Sequence, residues 1–403
     1  MAGHWHEPRD VTDLSVLQLG SVALRESGWW SVTDVDGQAV DAVDAFVDEL
    51  AACGCSTSTS RSYCHDLLRW FRFLEALDVA WQSATREDVR DFVRWLQIKP
   101  NPQRTRNPGG ESRPAPGSIN PLTGKRYLPP GYAPRTINHA LAVLSSFYDF
   151  ALYADLGPLQ NPVPRPNEGR PMHRSQLEAS RPRRRTAYRQ KEPAYQPRAI
   201  TEEVLQQLFT VLKHDRDRAL VAVTLSTGAR AGELLSMTLG GVDVGRSVLS
   251  VVAKGRAGQR VWVPAAPESF VWISRYLTSR EPGPPESALW MTLRRPTRPL
   301  TYFGLRQVLE RANAELDLNL TWHDFRHTFS ERLLRDDQLS LTDVQELMRH
   351  RNLSTLAPYA TSRLEELVSR LHQHLSRPPT PPPVAAVGYD TEDLQVLFPG
   401  LAL

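Results

Sequence analysis

Residues 321–360 read TWHDFRHTFSERLLRDDQLSLTDVQELMRHRNLSTLAPYA, and they join two helical patterns to a high density of phosphate-seeking and proton-transferring side chains. Thr321 followed by Asp324 has the spacing of a capping box, in which a hydroxyl and a carboxylate satisfy the backbone N–H groups that a first helical turn leaves open. Phe325, Phe329, Leu333 and Leu334 recur at helical intervals and predict a buried face. On that helix His323 and Arg326 stand one turn apart. A second helix is predicted from about Ser340, with Leu341, Val344, Leu347 and Met348 as its apolar stripe and His350 at its C-terminal end. Tyr359 follows nine residues later.

Upstream, the segment TGARAGELL at 227–235 sets Arg230 and Glu233 one turn apart. Val248, Leu249, Val251 and Val252, then Val261, Trp262 and Val263, read as two strands of a hairpin. Lys254 lies at its turn, where Gly255 and Gly258 allow backbone angles closed to other residues. Thr201, with Glu202 and Glu203 behind it, predicts a capped helix start. Further helices are predicted around 220–225, at 269–277 and at 302–316. The C-terminal half therefore reads as mostly helical with a small sheet.

These motifs, in this order, resemble the tyrosine recombinase (phage integrase) family: T-G-x-R-x-x-E, a lysine hairpin, H-x-x-R, and a histidine nine residues before a tyrosine. The resemblance implies a catalytic set of Arg230, Lys254, His323, Arg326, His350 and Tyr359, with Tyr359 as nucleophile and Glu233 in support. One departure is Arg349, which stands where the family usually has a glycine before the second histidine. The expected chemistry is cleavage and rejoining of DNA through a 3′-phosphotyrosyl intermediate, with no metal, cofactor or ATP. Arg230 and Arg326 would present rigid donor forks to phosphate oxygens. Tyr359, whose ordinary pKa is about 10, must lose a proton during attack, and His323 is the expected base. Lys254 is the expected acid for the leaving oxygen and His350 a donor to a non-bridging one. His327, four residues after His323, is assigned to structure.

The first half predicts a different unit. Val43, Phe46, Val47 and Leu50, then Tyr63, Leu67, Leu68, Trp70, Phe71 and Leu74, then Val89, Phe92, Val93 and Leu96 form three apolar stripes at helical spacing. Ser58 or Thr59 is the expected cap of the second helix, and Thr85 with Asp88 the capping box of the third. A stretch broken by nine prolines and five glycines occupies 99–134; a fourth helix, with Ile137, Leu141, Leu144, Phe147 and Phe150 inward, is predicted at 135–153. This layout resembles the SAM-like core-binding domain that precedes the catalytic domain in the same family and clasps DNA. The expected organisation is an acidic segment at 1–40, a helical clamp at 41–156 with a basic loop at 98–134, a basic linker at 157–198, the catalytic domain at 199–376 and a Pro-rich tail at 377–403. In fold class the chain is mainly α with small β-sheet. An amphipathic helix is expected at 362–375, and Leu394, Val396, Leu397 and Phe398 in the tail either cover a groove or stay disordered.

Net charge is only +3, but it is unevenly spread. Residues 1–50 hold ten acids against two bases, whereas 98–136 hold seven bases against one acid and 165–198 ten bases against three acids. Basic runs of this kind suit a polyanion, because each phosphate neutralised releases counterions, although solvated linkers share the composition. Lys125, Arg126, Arg135, Arg183, Arg184 and Arg185 are the expected DNA contacts. The implied partner is double-stranded DNA with specific recombination sites, bound by a homotetramer on paired sites. No run of about 18 apolar residues predicts a membrane span, and the N-terminus has no signal-peptide pattern, so a cytoplasmic protein is expected. Cys53, Cys55 and Cys64 are too few for a disulfide framework; with His65 they offer four zinc ligands at a spacing that matches no standard site. Two other functions fit parts of the pattern: a type IB topoisomerase, and a DNA-binding regulator without catalysis.

Overall fold

The computed structural model describes residues 9–100, 114–127, 129, 131–164, 187–192, 199–253, 258–336 and 338–349. Lys254, His350, Tyr359, Arg183, Arg184 and Arg185, together with the expected helix at 362–375 and the tail, lie outside them. The chain divides into two compact units, residues 1–194 and 195–403.

The first unit is built on α1 (Asp41–Ala52), α2 (Thr57–Glu75), α3 (Arg86–Ile98) and α4 (Pro134–Tyr153). Asp41 and Asp44 sit in the first turn of α1, at the positive end of its dipole. Pro134 opens α4, where its missing N–H costs nothing. Thr85 and Asp88 close a full capping box on α3. The cap of α2 is Ser56, two residues before the expected Ser58: its extended backbone lets Oγ accept from the Thr59 N–H at 3.2 Å, while Ser58 and Thr59 turn their hydroxyls onto it. The predicted stripes meet in one core around Phe46, Leu67, Trp70, Phe73, Phe92, Leu141 and Phe147. Two of its polar handles are satisfied in series: Trp70 Nε1 donates to the Tyr148 hydroxyl at 3.0 Å and that hydroxyl donates to the Trp81 carbonyl at 2.7 Å.

Part of the acidic N-terminal segment is also structured. β1 (Ser21–Leu24) and β2 (Trp30–Thr33) form an antiparallel hairpin, and Val11 and Val32 belong to the helical core. Within the proline-rich stretch, isolated bridges join Pro100 to Gly131 and Ile119 to Arg126. From the expected linker, residues 187–192 lie against α4: the Gln190 N–H donates to Asn138 Oδ1 at 2.7 Å, and Asn138 Nδ2 donates back to the Gln190 carbonyl at 3.0 Å. The Cys64 thiol is buried and pushed up to about 12 by that burial. Among the described residues no three His, Cys, Asp or Glu side chains are grouped to hold a metal ion.

In the second unit α5 (Glu202–Val211), capped by Thr201, leads to α6 (Asp215–Thr227), which is apolar or buried on nearly every side and packs against α8 (Pro267–Thr278) and α10 (Trp322–Leu334). Between them come the short α7 (Ala231–Leu235) and a three-stranded antiparallel sheet in the order β3 (Val242–Asp243), β4 (Val248–Val252), β5 (Arg260–Pro264). Leu249 faces Val263 and Val251 faces Val261 across the β4–β5 ladder, the register that the apolar alternation requires. α9 (Tyr302–Leu316) and α11 (Leu341–Leu347) complete the unit. Leu220, Val223, Leu234, Leu249, Ile273, Trp290, Leu305 and Phe325 share its core, and Phe329, Val344 and Met348 form a smaller cluster. No helix among the described residues is long and apolar enough to cross a membrane.

Candidate active site

The spacing T-G-x-R-x-x-E has a local structural cause. α6 stops at Gly228, which takes the left-handed conformation (φ 58°) that ends a helix cheaply only without a Cβ. There is no room for one either, because a Cβ at Gly228 would lie 2.4 Å from a ring carbon of Phe329. The chain then extends through Ala229 to Arg230, whose backbone N–H donates to Glu233 Oε2 at 3.0 Å, so that Glu233 caps the first turn of α7. That turn brings the Arg230 guanidinium onto the same carboxylate, with Nη1 donating to Oε1 at 2.7 Å. Arg230 keeps 32 % of its side-chain surface exposed, Glu233 only 1 %.

Arg326 reaches this turn from α10. Its side chain is buried, 3 % exposed for the residue, and it braces two segments: Nη1 donates to the Gly228 carbonyl and Nη2 to the Met348 carbonyl at 2.5 Å. The capping box of Thr321 and Asp324 fixes the start of that helix, with the Thr321 N–H donating to Asp324 Oδ2 at 2.7 Å. His323, in the first turn, is exposed, and its ring meets that of His327 edge-on with centroids 4.1 Å apart. His327 itself is buried. The strand that leads to Lys254 is anchored close to the arginine turn: the Val252 N–H donates to Ser236 Oγ at 2.9 Å, and Ser236 Oγ donates to the Glu233 carbonyl at 2.6 Å.

Arg349 is the residue that sequence reasoning marked only as a departure. It has a φ of +53°, the left-handed conformation that a glycine would adopt freely. Its side chain turns inward to 8 % exposure, and Nε and Nη2 both donate to Glu233 Oε2, at 3.2 and 3.0 Å. Burial pushes the Glu233 carboxyl up, but the Arg349 charge and the hydrogen bonds from Arg230 outweigh it and hold the group below its ordinary value. Burial also lowers the Arg349 guanidinium, against the opposing pull of Glu233. The structure thus brings Arg230, Glu233, Arg326 and Arg349 together where α6, α7, α10 and the end of α11 meet, with His323 one turn before Arg326. Of the expected DNA contacts that are described, Arg126 and Arg135 are exposed, and Arg126 Nη1 donates to the Gly117 carbonyl at 2.7 Å.

Comparison with known proteins adds independent findings. Residues 198–366 match the model of the phage integrase family, and residues 43–108 that of the phage integrase N-terminal SAM-like domain. The chain is 27 % identical over 340 residues to tyrosine recombinase XerD of Pseudomonas putida, spanning 82 % of this chain and 96 % of that protein. It is 31 % identical over 182 residues to tyrosine recombinase XerC of Leptospira interrogans, covering 43 % of this chain and 57 % of the relative. Among solved structures, the fold is similar to that of the Tn1549 transposon integrase in complex with transposon right end DNA (TM-score 0.56, 15 % identity, 83 % of this chain and 99 % of that one). It is also similar to a lambda integrase dimer bound to a core site (TM-score 0.52, 14 % identity, 78 % and 96 %).

Proposed function

Because this chain belongs to the phage integrase family of tyrosine recombinases and acts as a site-specific DNA recombinase, we propose that its chemistry runs through Tyr359 on double-stranded DNA. The Tyr359 oxygen attacks the scissile phosphorus and loses its proton to His323. A phosphorus–oxygen bond to tyrosine forms, and the bond to the 5′ oxygen breaks. That oxygen takes a proton from Lys254 and departs as a 5′ hydroxyl. Arg230 and Arg326 offset the charge that grows on the non-bridging oxygens, the kind of interaction worth most when aimed at charge as it develops, and His350 donates to one of them. The 3′-phosphotyrosyl bond conserves the energy of the broken one, so a 5′ hydroxyl from a second duplex reverses the step and completes an exchange without ATP.

The observation that supports this reading is the junction of Arg230, Glu233 and Arg326, in which two arginines from distant parts of the chain converge on the turn at Gly228. Exchange between two duplexes calls for paired sites and four active subunits, which makes a homotetramer on DNA the working assembly. Lys125, Arg126, Arg135, Arg183, Arg184 and Arg185 are the proposed phosphate contacts outside the catalytic set.

The decisive experiment is covalent capture on a random-sequence library of nicked duplexes, with wild type and Tyr359→Phe side by side. Wild type yields a 3′ adduct and Tyr359→Phe none, while DNA affinity is nearly unchanged because no positive charge is removed. An adduct that persists in Tyr359→Phe moves the nucleophile elsewhere. Relaxation of a supercoiled circle with no exchange between paired captured sites points instead to a type IB topoisomerase.

A further inference from the structure

We propose that Arg349 is a positioning residue for Arg230, acting through Glu233 and contributing no contact to DNA. The inference rests on the recombinase reading only for what Arg230 does. Arg349 occupies a left-handed backbone position, φ +53°, where any side chain carries a conformational cost, so a compensating contact is expected. Its contacts engage every nitrogen and four of the five N–H donors of the guanidinium. Nε and Nη2 donate to Glu233 Oε2, Nη2 also donates to the Thr227 carbonyl at 3.1 Å, and Nη1 donates to the Leu347 carbonyl at 2.8 Å. A guanidinium bonded to protein at all three nitrogens, with four of its five N–H donors engaged, is not presented to a phosphate.

Its effect falls on Glu233. A carboxylate with 1 % of its surface exposed is held as an anion only if it is paired. Were Arg230 its sole partner, that guanidinium would be drawn fully into the ion pair and away from a substrate phosphate. With Arg349 on Oε2, Glu233 takes one side-chain nitrogen of Arg230, Nη1, and its Oε2 holds the Arg230 backbone. Arg349 thus neutralises the carboxylate that orients Arg230. It also fixes Leu347–Arg349 against Thr227–Glu233, alongside the brace from Arg326 to the Met348 carbonyl. The register between the arginine turn and the chain running on to His350 is set at this point.

The test uses the full chain and the nicked duplex that the wild type captures covalently. Arg349→Gly relieves the backbone and removes the fork. The expected result is a cleavage rate at saturating DNA lowered about tenfold or more with half-saturation almost unchanged, since only a positioning contact is lost. Arg349→Lys keeps the charge but not the fork and should recover part of the rate. In a Glu233→Gln background Arg349→Gly should cost nothing further, because residues that act through one another are non-additive. A wild-type rate in Arg349→Gly, additive losses in the cycle, or a defect confined to half-saturation each overturn the proposal. If Arg349→Gly does not fold, Arg349→Lys carries the test, and a wild-type rate there overturns it. NMR titration of the Glu233 carboxyl gives a readout independent of DNA: it should shift upward in Arg349→Gly and by less in Arg349→Lys, which keeps the charge, and an unchanged titration in Arg349→Gly sinks the idea. Should the wild type capture no DNA, the recombinase reading fails while the titration still decides whether Arg349 holds Glu233.

Discussion

At the scale of single residues the site depends on one buried carboxylate and one glycine. Removing Glu233 leaves Arg349 as a buried, unpaired cation, a situation that costs about 3–5 kcal/mol. Glu233→Ala is therefore expected to lower stability by an amount of that order as well as cleavage, measured by denaturant unfolding of the full chain. Because the Glu233 carboxyl is held below its ordinary 4.5, its contribution is complete above that pH and is lost only as pH falls through the lower folded value. The gap between wild type and Glu233→Ala should accordingly be constant from pH 7 to 5 and narrow only as pH falls below 4.5; a gap that does not narrow there would show the carboxyl to be unperturbed. Gly228 fails differently. A methyl group there combines a left-handed backbone, about 1–2 kcal/mol, with overpacking against Phe329, about 1–3 kcal/mol. Gly228→Ala should thus destabilise by roughly 2–5 kcal/mol, and a loss below 1 kcal/mol in the same unfolding assay would mean that Phe329 yields easily.

At the scale of elements, α2 and α4 are joined by the pair of His139 and Asp66, with Nδ1 and Oδ2 2.6 Å apart. The hydrogen bond to Asp66 raises the His139 pKa above 6.5, against burial and the nearby Arg69 and Arg135. A raised histidine contributes stability fully below its unfolded pKa and loses it as pH rises through the folded one. Its side chain is 46 % exposed, so solvent limits the contribution to less than about 1 kcal/mol. His139→Ala should lower the unfolding temperature of the first unit slightly at pH 5.5, and by less at pH 9; a larger loss at pH 9 would reverse the assignment. Elements of this kind were legible in the sequence to different degrees. The stripes of α1 to α4 and the capping boxes at Thr85 and Thr321 could be read because a buried helix face repeats over three or more turns. The β1–β2 hairpin could not, since four-residue strands carry too little alternation to stand out within an acidic stretch. In the site, Arg230, Glu233 and Arg326 were visible as motif positions. The inward turn of Arg349 was not: a lone arginine at a helix end reads as solvent-facing, and only the burial of Glu233 from the other end of the unit supplies the reason to turn it in.

At the scale of the molecule, two separate cores divide the work. One is an aromatic-rich helical core around Trp70 and Phe147 in the first unit, the other surrounds Leu220, Trp290 and Phe325 in the second. The charge of the chain does not follow that division, because its most basic run, 165–198, lies where the first unit gives way to the second. Whether this run touches DNA has a measurable signature. Each phosphate contact adds about 0.9 to the slope of log K against log salt on B-form DNA. Replacing Arg183, Arg184 and Arg185 together by alanine should therefore flatten that slope by up to ~2.7, weaken binding of cognate and random duplexes alike, and leave the cleavage rate at saturating DNA near wild type. Base-reading contacts behave otherwise: their loss costs affinity for the cognate site alone. Titrations of both duplexes between 50 and 300 mM salt separate the cases. A slope unchanged in the triple variant identifies the run as solvated linker and leaves the electrostatic grip to exposed residues such as Arg126 and Arg135.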